Sequence, residues 1–359
     1  MSTHSYAFTG AYTSTTSKGI SVYTYTSATG KLALVSTGAG PGNPSFLALH
    51  PTRPVLYAVH ELGDYADKAQ GALSAYRVDV VTGALSLINT LPSGGAHPCH
   101  VSVDRTGRMA FVANYSGGSV AAYTLAEDGA LTAQTDFVQH RGHSSNQDRQ
   151  GEAHAHQVLL DPNNRFLHVC DLGMDQILRY AIDFASGRLL PAGYVRTQAG
   201  AGPRHMAFHP NGRFAYAINE LDNTLNAYHV SPDGALTEVQ SHGTLPDGYA
   251  ETSYCADVHV SPDGRFVYGS NRGHDSLAIF EVDVDSGLLS ARGQASTGGH
   301  WPRNFAIDPT GTRIFVANQE SDDVYMLAID AKTGILGKPT QRVEVARPVC
   351  IVFASWTTV

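Results

Sequence analysis

Apolar and polar positions alternate along most of the chain, in short runs broken by turn residues. The segments "FLALHPTRPVLYAVHE", "HVSVDRTGRMAFVANY", "QVLLDPNNRFLHVCDL", "HMAFHPNGRFAYAINE", "DVHVSPDGRFVYGSNR" and "NFAIDPTGTRIFVANQE" share one layout. In each, a run of period two meets a tight turn and a second such run, the signature of a β-hairpin. A third run follows, as in "SVAAYTL" or "TLNAYHV", and a fourth after a T-G or D-G turn, as in "SPDGALTEVQ". The turn positions Pro51, Arg105, Pro162, Pro210, Pro262 and Pro309 recur at spacings of 47 to 57 residues, the length of a four-stranded propeller blade.

Six units account for most of the chain, and its two ends supply a seventh. "YAFTGAYTS" reads as a second strand, "GISVYTYTSATGKLALVST" as a third and fourth, and "PVCIVFASW" (348–356) as the missing first. The expectation is an all-β fold, a single seven-bladed β-propeller over 1–359, closed by N-terminal strands and the C-terminal strand joined in one blade. Closure of this kind removes the open edges of a strand array. The longest insertion, "DFVQHRGHSSNQDRQGEAHAH" (136–156), reads as either a solvated loop or a flap over one mouth of the channel.

Where the units stop repeating, their chemistry becomes unusual. Aligned on their turns, the residues entering the first strand are Ser45, Cys99, His156, Arg204, Ala256, Arg303 and Val349. The next column holds Phe46, His100, Gln157, His205, Asp257, Asn304 and Cys350. The end of the second strand reads Tyr12, Glu61, Tyr115, Leu172, Glu220, Arg272 and Glu320. Because the two strands are antiparallel, these columns share one end of the molecule. That predicts a site at one channel mouth with His100, His154, His156, Arg204, His205, Asp257, Arg272, Arg303, Glu61, Glu220 and Glu320 around it. Such grouping suits charge recognition and proton transfer. His154 and His156 stand two apart on a strand, a spacing that would aim both imidazoles one way, but no third metal ligand is matched to them. No metal and no cofactor are expected.

Composition narrows the function. A net charge of −8 does not suit a nucleic-acid backbone binder. No segment is long and apolar enough to predict a membrane helix, and "MSTHSYAFTG" lacks the pattern of a signal peptide, so a cytoplasmic protein is expected. The four cysteines show no C-x-x-C spacing and read as buried thiols.

The stretches "GPRHMAFHP", "NELDNT", "CADVHVSPDGRFVYGSNRG" and "WPRNFAIDPTG" closely resemble the seven-bladed propeller lactonase family, over essentially the whole chain. Members of that family include bacterial 6-phosphogluconolactonase and fungal carboxy-cis,cis-muconate cyclase. The resemblance implies a cofactor-independent enzyme acting on a small anionic lactone or muconate, with His156, Arg204, Glu220 and Arg272 as its catalytic residues by motif. Lactone hydrolysis needs an activated water and a site for an oxyanion. A carboxylate among arginines is a weak base, which leaves His156 as the base and gives Glu220 the task of holding Arg204. Arg204 would stabilise the oxyanion, Arg272 and Arg303 would bind the anionic tail, and His100, His205 and Asp257 would back the site or relay protons. A muconate cycloisomerase is the alternative on the same scaffold; a non-catalytic interaction propeller would call for apolar top-surface residues that the sequence does not display.

Overall fold

A computed structural model describes residues 2–358 as strands joined by turns and loops. Seven four-stranded antiparallel sheets form the blades. Their innermost strands are Pro44–Leu49, Pro98–Val103, Ala155–Leu160, Pro203–Phe208, Tyr254–Val260, Pro302–Ile307 and Pro348–Thr358. The last of these pairs with Ser2–Ala11, so the closing blade takes strands from both ends of the chain, as the hydrophobic pattern predicts.

Both faces of the middle strands are apolar because each blade is packed against two others. Phe214, Tyr216 and Ile218 of one sheet share a buried cluster with Val258, Val267 and Phe280 of the next. Burying each such side chain stabilises the fold by about 1.5–3 kcal/mol. A polar stitch recurs at the same seam: Tyr57, Tyr216 and Tyr268 each donate a hydroxyl hydrogen bond to the turn carbonyl of Gly129, Gly287 and Gly334 in the following blade.

The inner strands carry one feature that positions chemistry. In every blade the pairing of first and second strands slips by a bulge near the mouth, at Ser45, Cys99, His156, Arg204, Arg303 and Val349, and across Ala256 and Asp257 in the sixth sheet in chain order. A bulge inserts a residue without a partner and re-aims its side chain. The column read from the sequence is therefore a ring of bulges around the channel.

Candidate active site

The bulge ring and the ends of the second strands enclose a cavity of about 340 Å³ at one mouth. Its charged and imidazole lining is Glu61, Arg149, His156, Glu220, Arg272 and Arg303, and its walls include Tyr12, Tyr115, Tyr254 and Trp301. Glu220 is the hub. Its Oε2 lies 2.9 Å from Arg204 Nε and 2.9 Å from Arg272 Nη2, while Oε1 lies 2.5 Å from Arg149 Nη2. The backbone holds Glu220 as well, its N–H donating to the Gly202 carbonyl at 2.7 Å. Gly202 adopts φ 67°, a conformation in which glycine is favoured, and a Cβ there would meet Leu221 Cγ at 2.8 Å. Burial alone would raise the Glu220 pKa, but Arg272, Arg204 and Arg149 outweigh it and hold the carboxyl well below the usual carboxylate range.

The four arginines are not equivalent. Arg204 is 2% exposed, and its Nε and Nη1 are committed to Glu220 and to the Ala256 carbonyl. It lines a narrow neck beneath the cavity rather than the cavity itself. Burial, with Arg272 and Arg303 nearby, lowers its pKa to about 10. Arg272 donates to the carbonyls of Tyr254 and Cys255 and stacks beside Trp301, 5.5 Å from the ring centroid. Arg303 lies over the Tyr12 ring at 5.5 Å and, among the described residues, makes no salt bridge within 4 Å. The nearby Tyr12 and Glu61 groups outweigh its burial and keep it firmly charged. Among the four it is the guanidinium without a carboxylate within salt-bridge distance in the described residues.

His156 lines both the cavity and the neck. Its Nδ1 lies 3.9 Å from Cys99 Sγ. Burial first, and then the fields of Arg204, His205, Arg303 and Arg272, hold its pKa well below the ordinary histidine value, so it is neutral at pH 7. Glu61 accepts the Tyr12 hydroxyl on both oxygens at 3.0 Å.

Several expected residues lie elsewhere. His100, His205 and Asp257 line a second cavity of about 350 Å³ below the neck: His100 and His205 directly follow bulge residues, Asp257 is the second residue of a longer bulge, and the chain has by then descended the channel. His154 is not in the cavity lining: its Nδ1 meets the Tyr115 carbonyl at 3.1 Å and its ring stacks on Tyr115 at 4.5 Å. The bulge at His156 breaks the alternation that would have aimed the two imidazoles together. Among the described residues no group of three or more His, Cys, Asp and Glu side chains is arranged to hold a metal. Glu320 is displaced by one residue. The backbone bond that marks the column runs from Glu220 to Gly202, from Tyr115 to His97, and in this blade from Gln319 to Trp301. Glu320 pairs instead with half-exposed His300, Nε2 to Oε2 3.6 Å.

The sequence reading missed Arg149, which comes from the insertion. Its Nη2 also contacts the Tyr115 hydroxyl at 3.4 Å, and its guanidinium lies 5.7 Å from the Tyr254 ring centroid. The segment is thus a built wall of the cavity, and its cationic side chains in an otherwise polar stretch were the available signal.

Comparison with known proteins follows the same geometry. A model of the family described as "Lactonase, 7-bladed beta-propeller" matches residues 6–353. A 6-phosphogluconolactonase of Bacillus subtilis is 36% identical over 96% of this chain and 97% of its own. A putative 6-phosphogluconolactonase of Bacteroides fragilis superimposes with TM-score 0.91 at 33% identity, over 98% of each chain. A periplasmic gluconolactonase of Pseudomonas aeruginosa does so with TM-score 0.91 at 34% identity, over 98% of this chain and 99% of its own. With its closed ring of seven blades and a family match over nearly its full length, the chain belongs to the seven-bladed β-propeller lactonase family.

Proposed function

We propose that this protein is a lactone hydrolase whose substrate is a sugar lactone carrying an anionic group, a phosphorylated aldonolactone of the 6-phosphogluconolactone type. The observation that carries the reading is the charge of the cavity and its neck: three guanidiniums in the cavity, one of them free of carboxylate partners, and Arg204 in the neck, against the two carboxylates Glu61 and Glu220. That excess matches a dianion, and a guanidinium binds phosphate oxygens bidentately. The relatives named 6-phosphogluconolactonase support the same substrate class.

Arg303 binds the anionic tail. A water between the lactone carbonyl and His156 loses its proton to the neutral imidazole as it attacks, and Arg272 stabilises the oxyanion. Collapse of the tetrahedral intermediate breaks the acyl carbon–ring oxygen bond, and the protonated imidazole returns its proton to the leaving alkoxide. The product acid then gives its proton to the neutral imidazole of His156, so each turnover leaves one proton there to be carried away. Glu220 stays ionised throughout and fixes Arg149, Arg204 and Arg272. Arg204, held off the cavity, acts through Glu220 instead of touching the oxyanion.

The reaction needs no cofactor in this scheme, and a phosphorylated substrate together with four unpaired buried cysteines fits a cytoplasmic location. A muconate carboxylate would satisfy the same arginines, so the test is a panel of phosphorylated and unphosphorylated lactones and carboxymuconates, assayed with and without chelator. Turnover of the phosphorylated lactone that survives chelator is expected; turnover of muconates alone would overturn the assignment.

A further inference from the structure

The channel below His156 narrows to a neck of about 10 Å³ and then opens into the second cavity. His205 lines both. Its ring centroid is 5.2 Å from that of His156 and 5.4 Å from that of His100. Its Nδ1 lies 2.7 Å from Asp257 Oδ1. An ionised carboxylate only accepts, so Nδ1 carries the proton and Nε2 is left as an acceptor. Among the described residues that Nε2 is buried without a hydrogen-bond partner, a condition that costs about 1–3 kcal/mol. The neck beside it is about the size of one water.

The far side of the carboxylate leads outward. Asp257 Oδ2 accepts from Asn304 Nδ2 at 2.6 Å and from His259 Nε2 at 3.0 Å. The His259 side chain is 39% exposed and lines the second cavity. Buried His205, buried Asp257 and exposed His259 thus form a continuous hydrogen-bonded chain from the neck to the opposite mouth.

We infer that His205, Asp257 and His259 conduct the proton released by hydrolysis from His156 through the channel to solvent at the mouth opposite the active cavity. The inference rests on the lactonase reading, which supplies one proton per turnover. His205 accepts a proton at Nε2 and yields one from Nδ1 to Asp257. Once the His259 Nε2 proton has been exchanged to Nδ1 through solvent, the carboxyl passes its proton to the bare Nε2 and Nδ1 discharges one to solvent; His205 and His259 return to their starting tautomers before the next proton arrives. No bond to carbon changes, and charge is conserved at each transfer.

Electrostatics gives the path a direction. His156 faces Arg204, Arg272, Arg303 and His205; His205 faces Arg204, Asp257, His259 and His100; His259 faces Asp257. The active cavity, ringed by guanidiniums, repels a proton. Burial and its arginine neighbours hold His156 well below the usual value, and burial and Arg204 lower His205 to about 4 against the pull of Asp257. Burial would lower His259 too, but Asp257 outweighs it and raises its pKa. Proton affinity is therefore higher at His259 than at His205, with Asp257, against its burial, held ionised by the two imidazoles as the bridge between them.

The experiment compares full-length wild type with His259→Gln, and with His259→Asn should the first not fold. Steady-state kinetics with the phosphorylated lactone, in light and heavy water, are combined with nitrogen-detected NMR titration of the imidazoles. The expected result is kcat lower by about 10-fold or more with KM within about twofold. The solvent isotope effect should change, added imidazole should restore rate, and the titrations of His156 and His205 should shift. A folded variant with wild-type kcat and isotope effect overturns the path, and so does a fall in kcat that imidazole does not rescue. If the wild type hydrolyses no lactone, the functional reading fails on its own. The titrations then decide: unmoved His156 and His205 overturn the path, and shifted ones retain the coupling.

Discussion

Glu220 shows how environment assigns a role to a residue. In the proposed mechanism a carboxylate held ionised by three guanidiniums serves to keep those guanidiniums in place. Glu220→Gln is expected to cost about 3–5 kcal/mol, the penalty for stranding buried charges, read as a lower urea midpoint. The acid limb of its pH–rate profile should keep the wild-type position; an acid limb abolished in this variant would make Glu220 the base. Arg303→Ala should raise KM for the phosphorylated lactone by about 10-fold or more and leave an unphosphorylated one nearly unaffected, because it removes the guanidinium without a carboxylate partner. Equal losses for both substrates would place the anionic group elsewhere. The pairing of Arg204 with Glu220 was legible in the sequence, since a hairpin brings together residues sixteen positions apart. That Arg204 would spend its donors on Glu220 and Ala256 was not, because it depends on the depth of the bulge in the channel.

Among the elements, the insertion matters most. Asp175 pins it, accepting from Ser144 Oγ at 2.5 Å, Gln150 Nε2 at 2.7 Å and the backbone N–H of Gly200 and Gly202 at 2.6 and 2.7 Å. One carboxylate therefore ties the segment bearing Arg149 to the strand bearing Arg204. Asp175→Ala should speed amide exchange across residues 140–152 and raise KM several-fold as Arg149 loses its position. Unchanged exchange would show that the segment is held by other contacts. The strand–turn–strand periodicity made the blades readable, since alternation and turn chemistry are local. The bulges were readable only as an odd column of residues, because a bulge is a property of pairing between strands. The one-residue error at Glu320 was avoidable: Glu220 lies sixteen residues after Arg204, and the same offset from Arg303 reaches Gln319, which makes the register-marking bond to Trp301.

At the scale of the molecule, the ring buries neutral histidines at its seams and in its channel. His60, His168 and His205 are each lowered to about 4, chiefly by burial. Between their ordinary value of about 6.5 and these folded values, the unfolded chain binds more protons than the folded one. Stability is therefore complete above that range and declines as pH falls, by up to about 1.4 kcal/mol per pH unit for each histidine. His259, raised by Asp257, works the other way, its contribution being lost as pH rises through its folded value. The histidines lowered by burial outnumber it, so the urea midpoint should fall between pH 7 and pH 5; a midpoint that rises would contradict this assignment. The ring closure was legible because the two ends of the chain complete one blade, whereas the division of the channel into two cavities and a neck depends on side-chain packing across all seven blades. The most direct test of the whole account is the hydrolysis of 6-phosphogluconolactone by the purified protein, followed as acid release at neutral pH beside His156→Ala. The account predicts hydrolysis far above the spontaneous rate in wild type and a loss of about 100-fold or more in the variant. A folded His156→Ala protein with full turnover, or a wild type no faster than buffer, would contradict it.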